Sequence, residues 1–234
     1  MQSSPQDRHY LKEEADAFFE RNRERFDPGT LRPAKRRIAE QIEACGIRPR
    51  QVLEFGCNYG DLLQHYAAAD AQCHGVEPSG KAVEFGREHF GEQIELHQGT
   101  IADNPVSSDP ARRGFHDLVI VDDVLCWVSR ETLFQSLAHI DDALADGGHL
   151  FLREFFPLRN RRNRNHHVEE GEVFCYKPGG PHAAMFVASG MYAVVAQRVE
   201  MDSADAWADA NAGDGFESRW MDTILRKSLH RYYE

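Results

Sequence analysis

From residue 51 onward, short apolar runs alternate with segments in which apolar residues recur at helical spacing. Short apolar runs of the kind found in buried strands lie at 51–55, 72–76, 94–97, 117–121 and 149–155. Between them, apolar residues recur at helical spacing at 61–69, 79–90 and 130–144. Asp146-Gly147-Gly148 predicts the end of the last of these helices. Strands that alternate with helices in this way are typical of βαβ units, so the pattern predicts a parallel sheet covered on both faces.

Both ends of the chain add elements to this core. Amphipathic helices are predicted over 10–26 and 33–45, separated by the break Asp27-Pro28-Gly29. After Pro157 the pattern weakens: 181–189 predicts a short helix, and strands are predicted at 192–199 and 220–225. We therefore expect a single domain with four parts, namely a helical lid over 1–45, a core over 46–156, an insertion over 157–180 and the end of the sheet over 181–234.

Composition narrows the classes of protein that the chain can belong to. Its 234 residues, 41% of them hydrophobic, suffice for one core. The apolar runs fall well short of the roughly 20 residues that a membrane-spanning helix needs. A net charge of −11 disfavours a dedicated nucleic-acid binder. The 5 cysteines form no Cys-x-x-Cys pair, so we expect a reducing, cytoplasmic environment rather than a disulfide framework.

The segment Val52-Leu53-Glu54-Phe55-Gly56-Cys57-Asn58-Tyr59-Gly60 joins a strand, a glycine loop and the start of a helix. Gly56 and Gly60 lack a Cβ, so the loop can turn tightly and approach a ligand. The helix that follows presents unpaired N–H groups. The next strand ends at Glu77, a position from which a carboxylate accepts hydrogen bonds from both hydroxyls of a ribose. The pattern predicts a ligand that contains a nucleoside.

The spacing Gly-x-x-x-Gly differs from the Gly-x-Gly-x-x-Gly of dinucleotide-binding proteins. With Glu54 two residues before Gly56, it resembles the first motif of class I S-adenosylmethionine-dependent methyltransferases. Residues 76–79, 99–101, 115–128 and 144–152 resemble the motifs that follow in that superfamily. The resemblance implies an α/β fold with a Rossmann-like, doubly wound sheet of seven strands, the last of them antiparallel. It also implies S-adenosylmethionine as the methyl donor and S-adenosylhomocysteine as the product.

The resemblance also assigns donor-binding roles by position. It implies that Glu54 organises the loop and the amino end of the donor, that Glu77 holds the ribose, and that Pro78 and Ile101 enclose the adenine. The remaining donor residues that it implies are Gly56, Cys57, Asn58, Gly60, Thr100 and Asp122. Thr100 departs from the pattern, because many relatives carry an acid there, so Asp103 or a backbone carbonyl would accept from the adenine amino group.

Residues that could assist the transfer follow the fourth and fifth predicted strands. The protein must align nucleophile and methyl group, and a base is needed where the nucleophile loses a proton. His166 and His167 lie in the insertion, and we predict that one of them is the base, with Asp122 or Asp123 assisting. Solvated loop histidines and a capped turn are the alternative interpretation.

Basic residues near the insertion predict an anionic acceptor, because guanidinium groups bind phosphate or carboxylate with two hydrogen bonds. The substrate-binding candidates are Arg153, Arg159, Arg161, Arg164, Tyr176 and Lys177. A solvated basic loop is the alternative. The arrangement of paired histidines, Tyr-Lys and Met-Phe resembles a branch of small-molecule methyltransferases of bacterial surface-sugar and secondary-metabolite pathways.

We therefore expect methyl transfer to oxygen or nitrogen of a small anionic metabolite, such as a sugar derivative or natural-product intermediate. Neither nucleic acid nor membrane is expected as a partner, and a homodimer stays open. The alternatives are an RNA or protein methyltransferase, which the acidic pI disfavours, and a non-catalytic donor-binding subunit or sensor. Asp122, Asp123 and Glu154 could hold Mg²⁺ as in catechol-type relatives, but no Asp-Asn pair follows the fifth strand, so no metal is expected.

Overall fold

A computed structural model describes residues 4–157, 159–165, 173–200 and 219–229. Its strands are β1 (Gln51–Phe55), β2 (Gln72–Glu77), β3 (Ile94–Gln98), β4 (His116–Asp122), β5 (Leu144–Phe155), β6 (Arg161–Arg164), β7 (Phe174–Lys177), β8 (Tyr192–Glu200) and β9 (Trp220–Lys227). Seven of them form one sheet in the order β3-β2-β1-β4-β5-β9-β8, and β6 pairs with β7 in a separate antiparallel ribbon. Strands β1 to β5 pair in parallel, whereas β9 runs antiparallel to β5 and β8. The predicted seven-stranded fold with an antiparallel last strand is therefore confirmed.

Helices cover both faces of this sheet. They are α1 (Pro5–His9), α2 (Ala15–Asn22), α3 (Pro33–Ala44), α4 (Leu63–Ala67), α5 (Gly80–Phe90), α6 (Pro105–Ser108), α7 (Leu133–Ala143) and α8 (Ala183–Ala188). A π-helical turn, Tyr10–Glu14, connects α1 to α2, and short 3₁₀ turns lie at Arg23–Arg25, Gly91–Gln93, Pro110–Arg112 and Leu125–Trp127. In the described ranges, no helix has the length and apolar character needed to cross a bilayer.

Side-chain alternation along the strands produces two hydrophobic clusters. Leu53, Val119 and Leu150 face one side, where they pack with residues of α6, α7 and α8. Val52 and Leu118 face the other side, where they pack with residues of α3, α4 and α5. Because the central strands are buried on both faces, their functional groups can be presented at the strand ends and the loops that follow.

The N-terminal helix begins earlier than predicted. Ser4 and Asp7 form a reciprocal capping box around Pro5, which starts α1 five residues before the predicted helix. The signal Ser-Pro-x-Asp is present in the sequence, but the polar residues around it hide the helical period. The helix then continues through the π-helical turn to Asn22.

The break Asp146-Gly147-Gly148 lies inside β5 and does not follow α7 directly. Helix α7 ends at Ala143 and β5 begins at Leu144. Pairing between β4 and β5 jumps from His116↔Leu144 to Leu118↔His149, so the glycines form a bulge, with Gly147 at φ 79°. The prediction that these glycines end the helix was therefore wrong: they form a bulge in the next strand, where glycine is also common.

Candidate active site

The loop after β1 packs closely against the loop after β4. The Gly56 N–H donates to the Val76 carbonyl at 2.7 Å, and Gly56 has φ 73°. A Cβ on Gly56 would lie 2.3 Å from Cγ2 of Val124, which leaves no room for any other residue. Asn58 and Gly60 also have positive φ. The predicted glycine loop is therefore held in one tight conformation at the carboxyl end of the sheet.

Glu77 joins this loop to the end of β2. Its Oε2 accepts from the Asn58 N–H at 2.9 Å, and its Oε1 accepts from the Ser79 N–H at 3.0 Å. Burial raises the pKa of Glu77 to about 7, although the two backbone N–H groups favour the charged form. Each carboxylate oxygen still has a free lone pair. Glu77 therefore has the capacity that the resemblance requires of a residue that binds both ribose hydroxyls.

Glu54 is fully buried and is paired with a lysine that the sequence analysis did not single out. Nζ of Lys35, on α3, lies 2.9 Å from Oε1 of Glu54 and 2.9 Å from Oδ2 of Asp122. The other oxygen of Glu54, Oε2, is buried and has no hydrogen-bond partner in the part of the chain that the structure describes. A signal for Lys35 was available, because Lys35 shares the buried face of α3 with residues three, four and seven positions later: Ile38, Ala39 and Ile42.

Asp122 and Asp123 have different surroundings. Asp122 accepts from Lys35, whereas Asp123 has φ 57° and its Oδ1 is buried without a partner. The nearest cation recorded for Asp123 is Arg153, whose Nε lies 3.9 Å from Oδ2. Burial, and then the negative charge of Asp122, raise the pKa of Asp123 to about 7. Asp123 can therefore take up a proton near neutral pH.

Arg153 does not present a free guanidinium to an acceptor. Nη1 lies 2.9 and 3.0 Å from the two carboxylate oxygens of Asp222, and Nη2 lies 2.9 Å from Glu200. These contacts connect β5 to β8 and β9. The structure therefore gives Arg153 a role in holding the sheet together, and the predicted acceptor contact finds no support in its hydrogen bonds.

The other predicted substrate residues lie on or beside the β6–β7 ribbon. Nζ of Lys177 lies 3.8 Å from the centre of the Phe155 ring, and in the described ranges it has no ion-pair partner. The guanidinium of Arg130 stacks on Tyr176 at 4.5 Å. Arg159, Arg161 and Arg164 are exposed. His166 and His167 lie outside the described residues.

The predicted adenine side lies at the ends of β2 and β3. Ile101 is buried, Pro78 is half-buried, and the Thr100 N–H donates to the Asp103 carbonyl at 2.9 Å. A cavity of about 580 Å³ lies beside this turn and is lined by Leu11, Gln98, Gly99, Asp103, Asn104, Pro105 and Ser108. Leu11 comes from the π-helical turn, so the N-terminal helix contributes to this cavity. Cys57 is fully buried within the loop.

The N-terminal helix is attached on both sides of the carboxyl end of the sheet. The side chain of Gln6 exchanges hydrogen bonds with the Phe174 backbone at 3.0 and 3.1 Å. Asp16 accepts from Oγ of Ser79 at 2.7 Å and from the Lys81 N–H at 3.1 Å. The helix therefore reaches from β7 to the start of α5, and the lid over 1–45 stays a prediction.

A buried pair at the end of β5 was missed from the sequence. Oε1 of Glu154 accepts from Nδ1 of His182 at 2.6 Å and from its N–H at 2.9 Å, and Oε2 accepts from the Ala183 N–H at 3.1 Å. The pair fixes the start of α8 to β5. No local pattern distinguishes His182, because its partner lies 28 positions away in the chain.

Comparison with known proteins agrees with this fold. A family profile described as a methyltransferase domain matches residues 53–150. No curated protein matches significantly. Among solved structures, the Burkholderia thailandensis 1,6-didemethyltoxoflavin-N1-methyltransferase, with bound 1,6-didemethyltoxoflavin and S-adenosylhomocysteine, is 14% identical with a TM-score of 0.67, over 97% of this chain and 92% of that one.

Two further structures are similar. An S-adenosylmethionine-dependent methyltransferase from Mesorhizobium loti is 18% identical over 85% of this chain and 100% of its own, with a TM-score of 0.58. A putative sarcosine dimethylglycine methyltransferase from Galdieria sulphuraria is 11% identical over 92% and 98%, with a TM-score of 0.64. Residues 53–150 therefore match a methyltransferase domain, and the chain has the fold of the S-adenosylmethionine-dependent methyltransferases to which it is similar.

Proposed function

We propose that the protein transfers the methyl group of S-adenosylmethionine to an oxygen or nitrogen atom of a small, anionic acceptor molecule. The observation that carries this proposal is the set of buried oxygen atoms without partners at the carboxyl end of the sheet. Oε2 of Glu54, Oδ1 of Asn58 and Oδ1 of Asp123 all belong to it. A buried polar atom without a partner costs about 1–3 kcal/mol, so these atoms favour a ligand that supplies donors.

The residues of the loop fit the donor molecule. Glu54 offers an oxygen to an ammonium group, Glu77 offers two oxygens to a ribose, and Gly56 leaves backbone accessible next to both. Pro78 and Ile101 provide apolar surface for an adenine, with Thr100 at its edge. When bound, S-adenosylmethionine supplies a methyl group on a sulfonium, which leaves in one displacement while the electron pair stays on sulfur.

The chain itself has to orient the acceptor and accept its proton. Asp123 lies at the end of β4, and its raised pKa of about 7 suits a carboxylate that takes the proton of an O–H or N–H group near neutral pH. His166 and His167 stay alternative predictions for this base. The ammonium of Lys177 lies on the face of Phe155 and has no ion-pair partner among the described residues, so it is suited to an anionic group of the acceptor.

The class of acceptor has support from one similar structure. The Burkholderia enzyme acts on 1,6-didemethyltoxoflavin, a small molecule, and the similarity extends over almost the whole of both chains. A net charge of −11 disfavours RNA as the acceptor. We therefore favour a small molecule over an RNA or protein acceptor, and the free cysteines are compatible with action in the cytoplasm.

Calorimetric titration of S-adenosylhomocysteine into the purified protein tests this proposal. We expect micromolar binding that weakens about 100-fold in Glu77→Gln, because the amide lacks the negative charge and places an NH2 group opposite one of the two backbone N–H donors. Glu95→Gln is the matched control, since Glu95 lies away from the loop on β3. If the folded wild type does not bind, the proposal is wrong. If it binds, sugar phosphates, nucleotide sugars and anionic heterocycles are the acceptors to screen.

A further inference from the structure

Lys35 occupies the centre of the donor site although it lies outside the segment that matches the methyltransferase profile. Its side chain comes from α3 and is buried between two carboxylates. The contacts are direct: Nζ is 2.9 Å from Oε1 of Glu54 and 2.9 Å from Oδ2 of Asp122. A lysine in this position gives the cluster one positive and two negative groups.

Glu54 depends on this lysine for its charge. The side chain of Glu54 is fully buried, which favours the neutral acid. Glu54 also interacts electrostatically with six other ionisable groups: Asp122, Asp61, Glu77, Cys57, Tyr66 and Cys73. All of these are acidic or become negative on ionisation, and the nearby Arg32 is paired with Asp61. Within the described part of the chain, Lys35 is the cation in direct contact with Glu54.

We propose that Lys35 is a positioning residue for the methyl donor, because it keeps Glu54 ionised and holds Oε1, which leaves Oε2 free to pair with the ammonium group of the donor. The inference rests on the proposed function. If the inference is right, the ionisation of Glu54 depends on a residue of α3 as well as on the glycine loop. Burial, the largest cause, and the negative charges of Asp122 and Asp61 raise the pKa of Glu54, and the contact with Lys35 opposes this shift without cancelling it.

A purely structural role for Lys35 predicts something different. If the lysine only attached α3 to the sheet, its loss would weaken donor binding by the same factor at every pH. If it acts through the charge of Glu54, its loss makes donor binding depend on pH, because a higher pH restores the carboxylate. The two effects also differ in a background without the Glu54 carboxylate, where only the structural effect would persist.

Titration calorimetry with S-adenosylhomocysteine from about pH 6 to about pH 8.5 separates these cases. We expect Lys35→Met to bind about tenfold more weakly than wild type at the acidic end and to recover as the pH rises. Lys35→Arg keeps the charge and should stay within about threefold of wild type. Glu54→Gln should be weak at every pH, and adding Lys35→Met to it should change affinity less than about twofold. Lys81→Met, on the exposed start of α5, is the control.

A ¹³C NMR titration of the Glu54 carboxyl group tests the charge without any donor, with circular dichroism as the check on folding. We expect the carboxyl group to titrate at a higher pH in Lys35→Met than in wild type. A loss of affinity in Lys35→Met that is independent of pH, or that is additive with Glu54→Gln, overturns the inference and leaves the proposed function intact. A folded wild type that does not bind S-adenosylhomocysteine overturns both.

Discussion

The two ends of the central sheet both bury ionisable side chains, with opposite results. At the carboxyl end, burial raises the pKa of Glu77 and of Asp123 to about 7, and one oxygen of Asp123 has no partner. At the amino end, Nε2 of His116 lies 3.0 Å from Nδ1 of His74, and Nδ1 of His116 lies 3.2 Å from the Ala143 carbonyl. Burial lowers the pKa of His74 to about 3 and that of His116 to about 4.

Burial favours the neutral form at both ends, so the difference lies in what satisfies the polar atoms. At the amino end the two imidazoles bind each other and the backbone through three of their four nitrogens, and the fourth, Nε2 of His74, has no hydrogen-bond partner among the described residues and lies 3.3 Å from Oε2 of Glu95. At the carboxyl end the loops leave carboxylate and amide oxygens unsatisfied. Unsatisfied buried oxygens lower the stability of the folded protein, but they are available to bind a ligand or to exchange protons.

The largest effect that we predict concerns Asp123. Asp123→Asn keeps the shape and removes the proton acceptor, so kcat should fall by about 10²–10⁴, while the affinity for S-adenosylhomocysteine changes little. Since the base must be deprotonated, wild-type kcat/KM should rise with pH through an apparent pKa of about 7, and this rise should be absent in the variant. Initial rates against pH measure both.

Asp70→Asn is the matched control for this experiment, because Asp70 is exposed, lies before β2 and, like Asp123, has a positive φ of 61°. His166→Ala and His167→Ala belong in the same series. If Asp123→Asn keeps its rate and one of the histidine variants loses activity, the base lies in the insertion, as predicted from the sequence. The raised pKa of Asp123 would then have no role in catalysis.

The second prediction concerns the amino end. His74 and His116 stay neutral in the folded protein, whereas the unfolded chain binds protons on both below pH about 6.5. Stability is therefore complete above that pH and falls as the pH decreases toward the folded values. Between pH 6.5 and pH 5 the two histidines together should lower the free energy of unfolding by about 3 kcal/mol, while protonation of Glu77 and Asp123 acts in the opposite direction, so the difference between wild type and a histidine variant carries the prediction. Urea unfolding at several pH values measures it.

His74→Asn removes one of the two imidazoles and should reduce this pH dependence by about half. His65→Asn is the control, since His65 is a partly exposed histidine on α4. If the free energy of unfolding depends on pH in the same way in His74→Asn and in wild type, the acid sensitivity comes from other groups. The neutral histidine pair would then not stabilise the amino end of the sheet.

The structure brings the predicted donor residues together because that side of the sheet is local. Glu54, Gly56, Gly60 and Glu77 occupy strand ends and one loop, and the parallel pairing of β1 with β2 and β4 brings them together without further information. The strands themselves followed from short apolar runs. An apolar run does not indicate a bulge within a strand, so the glycines after Asp146 were interpreted as the end of a helix.

The acceptor side was harder to predict because its contacts join distant parts of the chain. Arg153 looked like a substrate residue until Asp222 and Glu200, from β9 and β8, were found around its guanidinium. His182 became visible only with Glu154 beside it. Lys35 is the exception, since a lysine on the apolar face of an amphipathic helix is a signal in the sequence alone.

The smallest effect that we predict concerns the cations at the two ends. At the amino end, Nη2 of Arg112 binds both oxygens of Glu95 at 2.9 and 2.8 Å. At the carboxyl end, the ammonium of Lys177 lies on the Phe155 ring and, in the described ranges, lacks an ion-pair partner. A half-buried cation without a carboxylate is available to an anion, so Lys177 should contribute to KM and not to the chemical step.

With an anionic acceptor identified by the screen, Lys177→Met should raise KM about tenfold at unchanged kcat, which corresponds to one charge-assisted hydrogen bond. A neutral analogue of the acceptor should lose much less, and the control Lys81→Met should behave as wild type. Equal losses for the charged and the neutral acceptor would mean that Lys177 only packs against Phe155. The unsatisfied groups of the carboxyl end would then serve the donor alone, and the specificity for the acceptor would have to come from the residues around Arg130 and Tyr176.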